Sequence, residues 1–299
     1  MKRWILPVLL LGALLSPIAH GTDKPTVVVT FSILEDFAQA VAGEHAEVVS
    51  LAPRGAEVHE YELRPADFQA LEDADLVFYN GLNLEQWMGQ LRATVTDGVP
   101  VVSLAEESGV DTLPIVTGDF AGDGDPHVWM DPRKVRNYVD VIRQRLTELV
   151  PEQEQVFQAN AGAYINELRA LYQDMTEELA AIPEERRTLI TSEAAFIYFA
   201  DAFDFHHDGI WGTNSETEGT SRQLMRIMDI IKERQPPAIF WESTISSRHV
   251  ESVSGDTGVP YYGPLHVDSL TDEDGKADTY LNMMRENVRV LKEALHDDG

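Results

Sequence analysis

The hydrophobic positions of this chain alternate between short apolar runs and longer stretches with helical spacing. A β-branched run such as Thr26–Phe31 predicts a buried strand, and Ser32–Ala42, with apolar residues three and four positions apart, predicts a helix. Strands in the first half are predicted at Thr26–Phe31, Ala46–Leu51, Ala74–Tyr79 and Val101–Leu104. This alternation predicts an α/β fold with a parallel sheet covered by helices on both faces.

The same alternation returns in the second half of the chain. Strands are predicted at Thr188–Thr191, Ala238–Trp241 and Pro260–Tyr262, and a closing helix at Asp278–Leu295. Between the halves, helical spacing continues from Pro151 to Ile182, a length of roughly 48 Å. We interpret this stretch as a rigid helix that joins two (βα) lobes, although an ordinary long surface helix gives the same pattern.

The first residues resemble a signal peptide. Together with the long helical stretch, they define the predicted domain boundaries. Lys2 and Arg3 precede a short apolar core, Ile5–Leu15, and small residues follow at Ala19 and Gly21. The predicted divisions are a signal peptide at 1–21, an N-terminal lobe at 22–149, a connecting helix at 150–183 and a C-terminal lobe at 184–299. The apolar core of the signal peptide is too short for a permanent membrane anchor, and we expect no membrane-spanning segment elsewhere.

Composition narrows the location and the class of partner. The chain has no cysteine, which excludes disulfides and a lipid-modified cysteine, so we expect a freely soluble periplasmic protein with no lipid anchor. Its formal net charge of −28 repels nucleic acid and anionic lipid and attracts cations without selecting among them. One hypothesis for the acid excess is adaptation of a halophilic source to salt; an ordinary solvated surface is the alternative.

The most informative stretch is Asp125–Pro132, which holds His127 between two prolines. Pro126 restricts Asp125 to extended backbone, and Asp131 with Pro132 has the pattern of a helix N-cap followed by the first helical position. On this stretch alone, a ligand histidine and a half-buried turn histidine are equally good interpretations.

Four residues occupy matching places near predicted strand ends: His59, His127, Glu193 and Asp268. Ligand sites of open parallel sheets lie beyond the carboxyl ends of the strands, so two facing lobes would bring these side chains together. Two neutral imidazoles and two carboxylates suit a divalent first-row metal and cancel its charge. Taken singly, each residue also has an ordinary structural explanation, such as a helix terminus, a turn or a loop hydrogen bond.

Four further residues are weaker candidates for a role in metal binding. His206 and His207 form either an auxiliary metal-collecting pair or an exposed turn. Glu242 either orients a ligand histidine or is a polar strand end. His266 is a less favoured ligand candidate: it precedes Asp268 by two residues, so in a strand both side chains would point the same way. The loop Thr112–Pro126 lacks the oxygen ligands of a calcium loop and is interpreted as solvated.

The chain resembles the metal-binding solute-binding proteins of ABC importers, the family often called cluster 9, which handles manganese, iron and zinc. The matching motifs are Gly55–Asp67, Tyr79–Glu85, Pro126–Pro132, Thr191–Phe196 with Tyr198 and Phe199, Thr213–Thr220, and Val267–Leu270. The resemblance implies two lobes joined by one long helix, with the metal between them on His59, His127, Glu193 and Asp268.

Departures from the family pattern bear on the choice of metal. Val58 and Leu63 stand where proline is common, which removes no ligand atom. Members of the zinc branch often have a third histidine where this chain has Glu193, and a histidine-rich loop where residues 106–125 contain no histidine. Both departures indicate the manganese/iron branch. A carboxylate favours Mn²⁺ relative to a third imidazole, but Zn²⁺ still binds such a site.

These observations predict a monomeric, non-catalytic periplasmic protein that carries Mn²⁺ or Fe²⁺ to an inner-membrane ABC permease and binds neither nucleic acid nor a small organic ligand. A zinc-delivering member of the same family is the nearest alternative. A metallohydrolase with a two-histidine, two-carboxylate centre is a further alternative, although no H-E-x-x-H or G-x-S-x-G motif is present. A surface adhesin is the third, and the missing cysteine argues against it.

Overall fold

A computed structural model describes residues 24–214 and 217–296 of the chain. The predicted signal peptide at 1–21 lies outside the described residues. We call residues 24–149 the first half and residues 184–296 the second half. In the part of the chain that the structure describes, no helix combines the length and the apolar character needed to cross a membrane.

The first half contains the predicted parallel sheet. Its elements are β1 (Thr26–Val29), α1 (Ser32–Ala42), β2 (Glu47–Ser50), α2 (Pro65–Glu72), β3 (Leu76–Tyr79), α3 (Met88–Thr94), β4 (Val101–Ser103), α4 (Leu104–Glu107) and α5 (Pro132–Leu149). The strand order is β2-β1-β3-β4, and every neighbouring pair is parallel. The buried β-branched residues of β1 pack under α1, so the apolar runs form strands as the sequence predicts.

The second half repeats this architecture with one strand more than the sequence predicts. Its elements are β5 (Thr188–Glu193), α7 (Ile197–Phe203), β6 (His206–Trp211), α8 (Ser221–Arg234), β7 (Ile239–Glu242), α9 (Arg248–Thr257), β8 (Tyr261–Leu265) and α10 (Tyr280–Leu295). β5 pairs with β6 and β7 pairs with β8, both in parallel, and β5 lies beside β7. The added strand is β6, which the sequence pattern does not reveal.

The long helix between the halves is shorter than predicted. A single 3-10 turn at Pro151–Gln153 precedes α6 (Glu154–Leu179), which has 26 residues and a length of roughly 39 Å. α6 packs against α1 of the first half and α10 of the second. Tyr164 on α6 donates a hydrogen bond to Asp36 Oδ2 on α1 at 2.9 Å. The fold thus has the predicted parallel sheets and long helix, and the lobe boundaries at 149 and 183 stay a prediction.

Two further contacts connect the halves close to residue 268. Trp129 Nε1, in a 3-10 turn of the first half, donates to the carbonyl of Val267 at 2.8 Å. Gly55 N donates to the carbonyl of Leu270 at 3.1 Å. The loops that carry His59 and His127 are therefore fixed directly against the loop that carries Asp268.

Candidate metal centre

The four side chains singled out from the sequence meet in one buried cluster. His59, His127, Glu193 and Asp268 each offer a donor atom within 4.8 Å of the other three, and all four are buried. His59 Nε2 lies 3.3 Å from Glu193 Oε1. His127 Nε2 lies 3.7 Å from Glu193 Oε1 and 3.6 Å from Asp268 Oδ1. The imidazoles come from the first half and the carboxylates from the second.

A carboxylate-capped turn positions His59 in the loop between β2 and α2. Glu57 accepts hydrogen bonds from the backbone N–H groups of His59 at 2.9 Å and Glu60 at 3.0 Å. Trp87 Nε1 donates to the carbonyl of Val58 at 2.9 Å and fixes the residue before the histidine. An acidic side chain that bonds the backbone two and three residues later is an ordinary way to form such a turn.

Asp125 fixes both the backbone and the ring of His127. Asp125 Oδ1 accepts from His127 N at 2.9 Å and lies 3.0 Å from His127 Nδ1. A carboxylate at Nδ1 selects the tautomer with the proton on that nitrogen, so the Nε2 lone pair faces Glu193 and Asp268. Behind the turn, Asp131 caps α5 by accepting from Arg133 N at 2.8 Å, which confirms the predicted N-cap.

Glu193 is the last residue of β5, and its neighbours hold it from two sides. Glu242 on β7 accepts from Glu193 N at 3.1 Å, while Glu193 Oε1 accepts from Asn214 N at 2.8 Å. Gly209 on β6 permits this packing, because an added Cβ would lie 2.5 Å from Ala194 N. The end of β5 is therefore closely packed around the candidate ligand.

Asp268 lies just beyond β8, and its two oxygens have different surroundings. Oδ2 faces Asn214 Nδ2 at 3.3 Å and Thr244 Oγ1 at 3.5 Å, both of which donate to it. Oδ1 has no hydrogen-bond partner among the described residues and faces His127 Nε2. The carboxylate therefore presents one oxygen to the imidazoles.

Buried polar atoms without hydrogen bonds gather at this cluster. Within the described residues they include both ring nitrogens of His59, His127 Nε2, Glu193 Oε2 and Asp268 Oδ1. An unpaired buried polar group costs about 1–3 kcal/mol, so such a concentration is unfavourable unless another group satisfies it. A divalent cation accepts lone pairs from imidazole nitrogen and carboxylate oxygen together, and the donor set fits one.

The pKa values show what burial does to these groups. Burial lowers the pKa of His59 well below its ordinary value, and the charge of His127 lowers it further. Burial also lowers the pKa of His127, but the charge and hydrogen bond of Asp125 outweigh it, so the net shift is upward. Burial raises the pKa of Glu193 well above its ordinary range, with a further rise from Asp268. It raises the pKa of Asp268 to about 7.

The weaker sequence candidates lie elsewhere or have another role. His206 and His207 belong to β6, so the interpretation as an exposed turn is wrong, and neither is in the four-residue cluster. His207 is buried; its Nε2 accepts from Phe196 N at 3.1 Å, and its Nδ1 lies 3.1 Å from the carbonyl of Leu189. Glu242 supports Glu193 rather than a histidine.

His266 is also outside the four-residue cluster. Its backbone N–H donates to Asn287 Oδ1 and its carbonyl accepts from Asn287 Nδ2, which fixes the chain directly after β8. The supporting residues Asp125 and Asn214 are absent from the sequence-derived set. The spacing Asp-Pro-His could have indicated Asp125, because a carboxylate two residues before a histidine can bond its backbone. Asn214 lies in the matching motif Thr213–Thr220, but no local signal indicates its contacts with the two carboxylates.

Comparisons with known proteins identify the family of this chain. A family model described as zinc-uptake complex component A, periplasmic, matches residues 27–294. The manganese-binding lipoprotein MntA of Halalkalibacterium halodurans is 41% identical over 90% of this chain and 88% of its own length. The iron-binding protein YfeA of Yersinia pestis is 37% identical over 94% of this chain and 91% of its own.

Comparison with solved structures identifies a similar fold. The periplasmic zinc-binding protein TroA of Treponema pallidum superposes with a TM-score of 0.85 at 29% identity, covering 92% of this chain and 100% of that one. Its similarity extends over both halves and confirms the predicted α/β architecture.

One expectation is wrong. The prediction of a freely soluble periplasmic protein with no lipid anchor conflicts with the relatives, because MntA and several streptococcal relatives are named lipoproteins, which points to attachment at the membrane. The missing cysteine is too weak an observation to fix where a member of this group resides. Export to the periplasm otherwise fits.

The matched family model and these relatives together cover nearly all of the described chain. The chain therefore belongs to the family of zinc-uptake complex component A, the periplasmic metal-binding substrate-binding proteins of ABC importers.

Proposed function

We propose that this protein captures one Mn²⁺ or Fe²⁺ ion between its two halves and delivers it to an ABC permease in the inner membrane. His59 and His127 bind the ion through imidazole nitrogen, and Glu193 and Asp268 bind it through carboxylate oxygen. The observation that carries the proposal is the convergence of unpaired buried donor atoms from these four residues. The ion is cargo, and no reaction is performed on it.

The choice of manganese or iron rests on the donor set and on the relatives. A site with two carboxylates is chemically harder than a site with three histidines. It therefore favours Mn²⁺ and Fe²⁺ more than a three-histidine site would. MntA and YfeA are named for manganese and iron. Zn²⁺ still binds such donors, so metal supply and the permease contribute to selectivity. The zinc-delivering and hydrolase alternatives are not favoured by the relatives.

The space around the cluster supports a bare ion as cargo. The cavity that reaches His59 has a volume of about 30 Å³ and is bordered by Leu82, Phe120 and Pro126 of the first half and Thr213 of the second. That volume matches roughly one or two water molecules, which is too little for an organic ligand. We propose that the protein binds no small organic molecule, which the small cavity supports, and also that it acts as a monomer and is not an enzyme.

The domain division follows from the same proposal. We propose that the N-terminal lobe spans 22–149, that residues 150–183 form the connection and that the C-terminal lobe spans 184–299. The packing of α6 against both α1 and α10 supports a rigid connection. In such an arrangement, small movements of one lobe change the distances between the imidazoles and the carboxylates.

Metal uptake by purified protein tests the function. Protein stripped with a chelator is dialysed against Mn²⁺, Fe²⁺ under anaerobic conditions, or Zn²⁺, and metal content is measured by elemental analysis. We expect about one ion per chain for each metal, since four donors enclose one ion. Uptake of none of the three metals contradicts the proposal. Turnover of ester or phosphoester substrates by the loaded protein would support the hydrolase instead.

A further inference from the structure

Asn214, in the segment that follows β6, contacts both carboxylates of the candidate site. Its backbone N–H donates to Glu193 Oε1 at 2.8 Å, and its side-chain amide donates to Asp268 Oδ2 at 3.3 Å. Its amide oxygen accepts from Trp211 Nε1 at 2.9 Å. An indole N–H can only donate, so the amide oxygen must face Trp211, and the NH₂ group must face Asp268.

The same amide extends toward the first half of the molecule. The Asn214 side chain also interacts with the carboxylate of Glu57 in the first half. Glu57 caps the turn that carries His59. The side chain of Asn214 therefore lies beside a carboxylate of each half: Glu57, which caps the turn of His59, and Asp268, to which it donates.

These bonds make Asp268 asymmetric. Oδ2 has two donors, Asn214 Nδ2 and Thr244 Oγ1, whereas Oδ1 has no hydrogen-bond partner among the described residues. Oδ1 lies 3.6 Å from His127 Nε2, where a shared ion would lie. For both oxygens of Asp268 to bind one ion, the carboxylate must rotate and give up the bond from Asn214.

We propose that Asn214 is a specificity-determining positioning residue, which holds Asp268 so that one oxygen alone faces the cargo ion. The inference rests on the metal site of the proposed function. A carboxylate that offers one oxygen suits the four-coordinate geometry of Zn²⁺, whereas Mn²⁺ takes up to six oxygen or nitrogen donors. Asn214 thus limits how strongly the site prefers Mn²⁺, and its loss gives Mn²⁺ a further donor.

The test compares Mn²⁺-loaded wild type with Asn214→Ala. This substitution removes the amide but keeps the backbone N–H that bonds Glu193. We expect X-ray absorption at the manganese edge to show at least one more oxygen donor in the variant. We also expect the ratio of the Mn²⁺ and Zn²⁺ dissociation constants, measured by competition, to shift toward Mn²⁺ by about tenfold, the lower end of the range for residues that orient ligands.

Thr244→Val serves as the matched variant, because it removes the longer hydrogen bond to the same oxygen and keeps the side-chain shape. We expect a change in the same direction that is smaller than for Asn214→Ala. If Asn214→Ala does not fold, by near-ultraviolet circular dichroism, Thr244→Val alone decides. An unchanged manganese coordination number, with both metals weakened equally, overturns the inference. Wild type that takes up no metal contradicts the proposed function itself, so the two failures are distinguishable.

Discussion

The two halves of the molecule supply opposite kinds of donor to one cluster. The first half presents two imidazoles on loops, each fixed by an acidic residue two positions earlier in the chain: Glu57 bonds the backbone of His59, and Asp125 bonds the backbone and ring of His127. The second half presents two carboxylates at strand ends, held by Glu242, Asn214 and Thr244. Neither half alone contains four donors, so tight capture requires both.

The different donors of the two halves, imidazoles and carboxylates, also determine the charge of the site. Burial favours the neutral form of His59 and of both carboxylates, because it lowers the pKa of the imidazole and raises the pKa of Glu193 and Asp268. A bound cation reverses this preference for the carboxylates, since it compensates their negative charge. In the proposed function, metal capture would therefore be coupled to proton release from the second half.

The largest expected effect comes from removing an imidazole of the first half. We expect His59→Ala and His127→Ala each to weaken Mn²⁺ binding by more than ~100-fold, beyond the range for residues that only orient ligands. Isothermal titration calorimetry measures the loss. The His59 ring has no hydrogen bond, and His127→Ala keeps the backbone bond from residue 127 to Asp125, so the fold should persist in both variants, which circular dichroism checks. A variant that binds like wild type would exclude that histidine as a ligand.

A donor exchange in the second half tests whether the carboxylates set the metal preference. Glu193→His replaces an oxygen donor by nitrogen, and we expect the Zn²⁺/Mn²⁺ affinity ratio to rise by about tenfold or more. Competition titration against a chelating indicator measures the ratio. Glu193→Asp, which keeps the carboxylate, is the control and should change the ratio less. An unchanged ratio in Glu193→His would show that selectivity is determined elsewhere.

The pH dependence of Mn²⁺ binding reports the protons that the buried donors release, from Asp268 and from His127, whose pKa is also raised. Asp268 has a pKa of about 7 and must lose its proton to bind metal, so Mn²⁺ affinity should fall as pH drops below 7, by about tenfold per pH unit for each proton displaced. Titrations at pH 8, 7 and 6 measure the slope, and proton release into a weak buffer confirms its origin. A flat profile over this range would contradict the coupling.

The stability of the metal-free protein should change in the opposite direction. The pKa of Asp268 is raised from its ordinary 3.8, so the folded state binds more protons than the unfolded state between about pH 4 and pH 7. This contribution to the free energy of unfolding is complete below pH 4 and is lost as pH rises through 7. Thermal unfolding of wild type and Asp268→Asn across this range measures it. A contribution that grows with pH would refute the assignment.

The smallest expected effect concerns Glu242, which supports β5 from the second half. Burial raises the pKa of Glu242 to about 8, so at pH 7 its neutral form predominates and Glu242→Gln resembles it closely. We expect Mn²⁺ affinity at pH 7 to change by less than ~10-fold, below the effect of removing a ligand. Titration calorimetry compares it with Glu242→Ala, which also loses the acceptor for Glu193 N and should bind more weakly. Equal affinities in the two variants would remove any role for Glu242.

The sequence predicts the first half better than the second. β1 to β4 are apolar runs between helices with regular spacing, so local pattern and tertiary packing agree there. β6 reads His-His-Asp-Gly-Ile-Trp, whose polar start hides a strand. Its burial depends on partners distant in sequence: His207 bonds Phe196 and lies beside Leu189, and Gly209 fits closely against Ala194. A local pattern cannot contain those contacts.

Prediction of the candidate site from local sequence is limited in the same way. Strand ends and turn chemistry are local, so the positions of His127 and of its helix cap could be predicted, and the family resemblance supplied the ligand set. The residues that orient the ligands could not be predicted in the same way. Asn214 acts through Trp211, Glu193 and Asp268, which only the folded chain brings together. Residues 215 and 216, which follow Asn214 in the motif Thr213–Thr220, lie outside the described part of the chain.

Anomalous scattering from crystals of the Mn²⁺-loaded protein tests the central claim most directly. We expect a single strong manganese peak between His59, His127, Glu193 and Asp268, with nitrogen from the first half and oxygen from the second within bonding distance. The peak should vanish in crystals of the double variant His59→Ala/His127→Ala prepared in the same way. A manganese peak at another place, or one that persists in the double variant, would contradict the account.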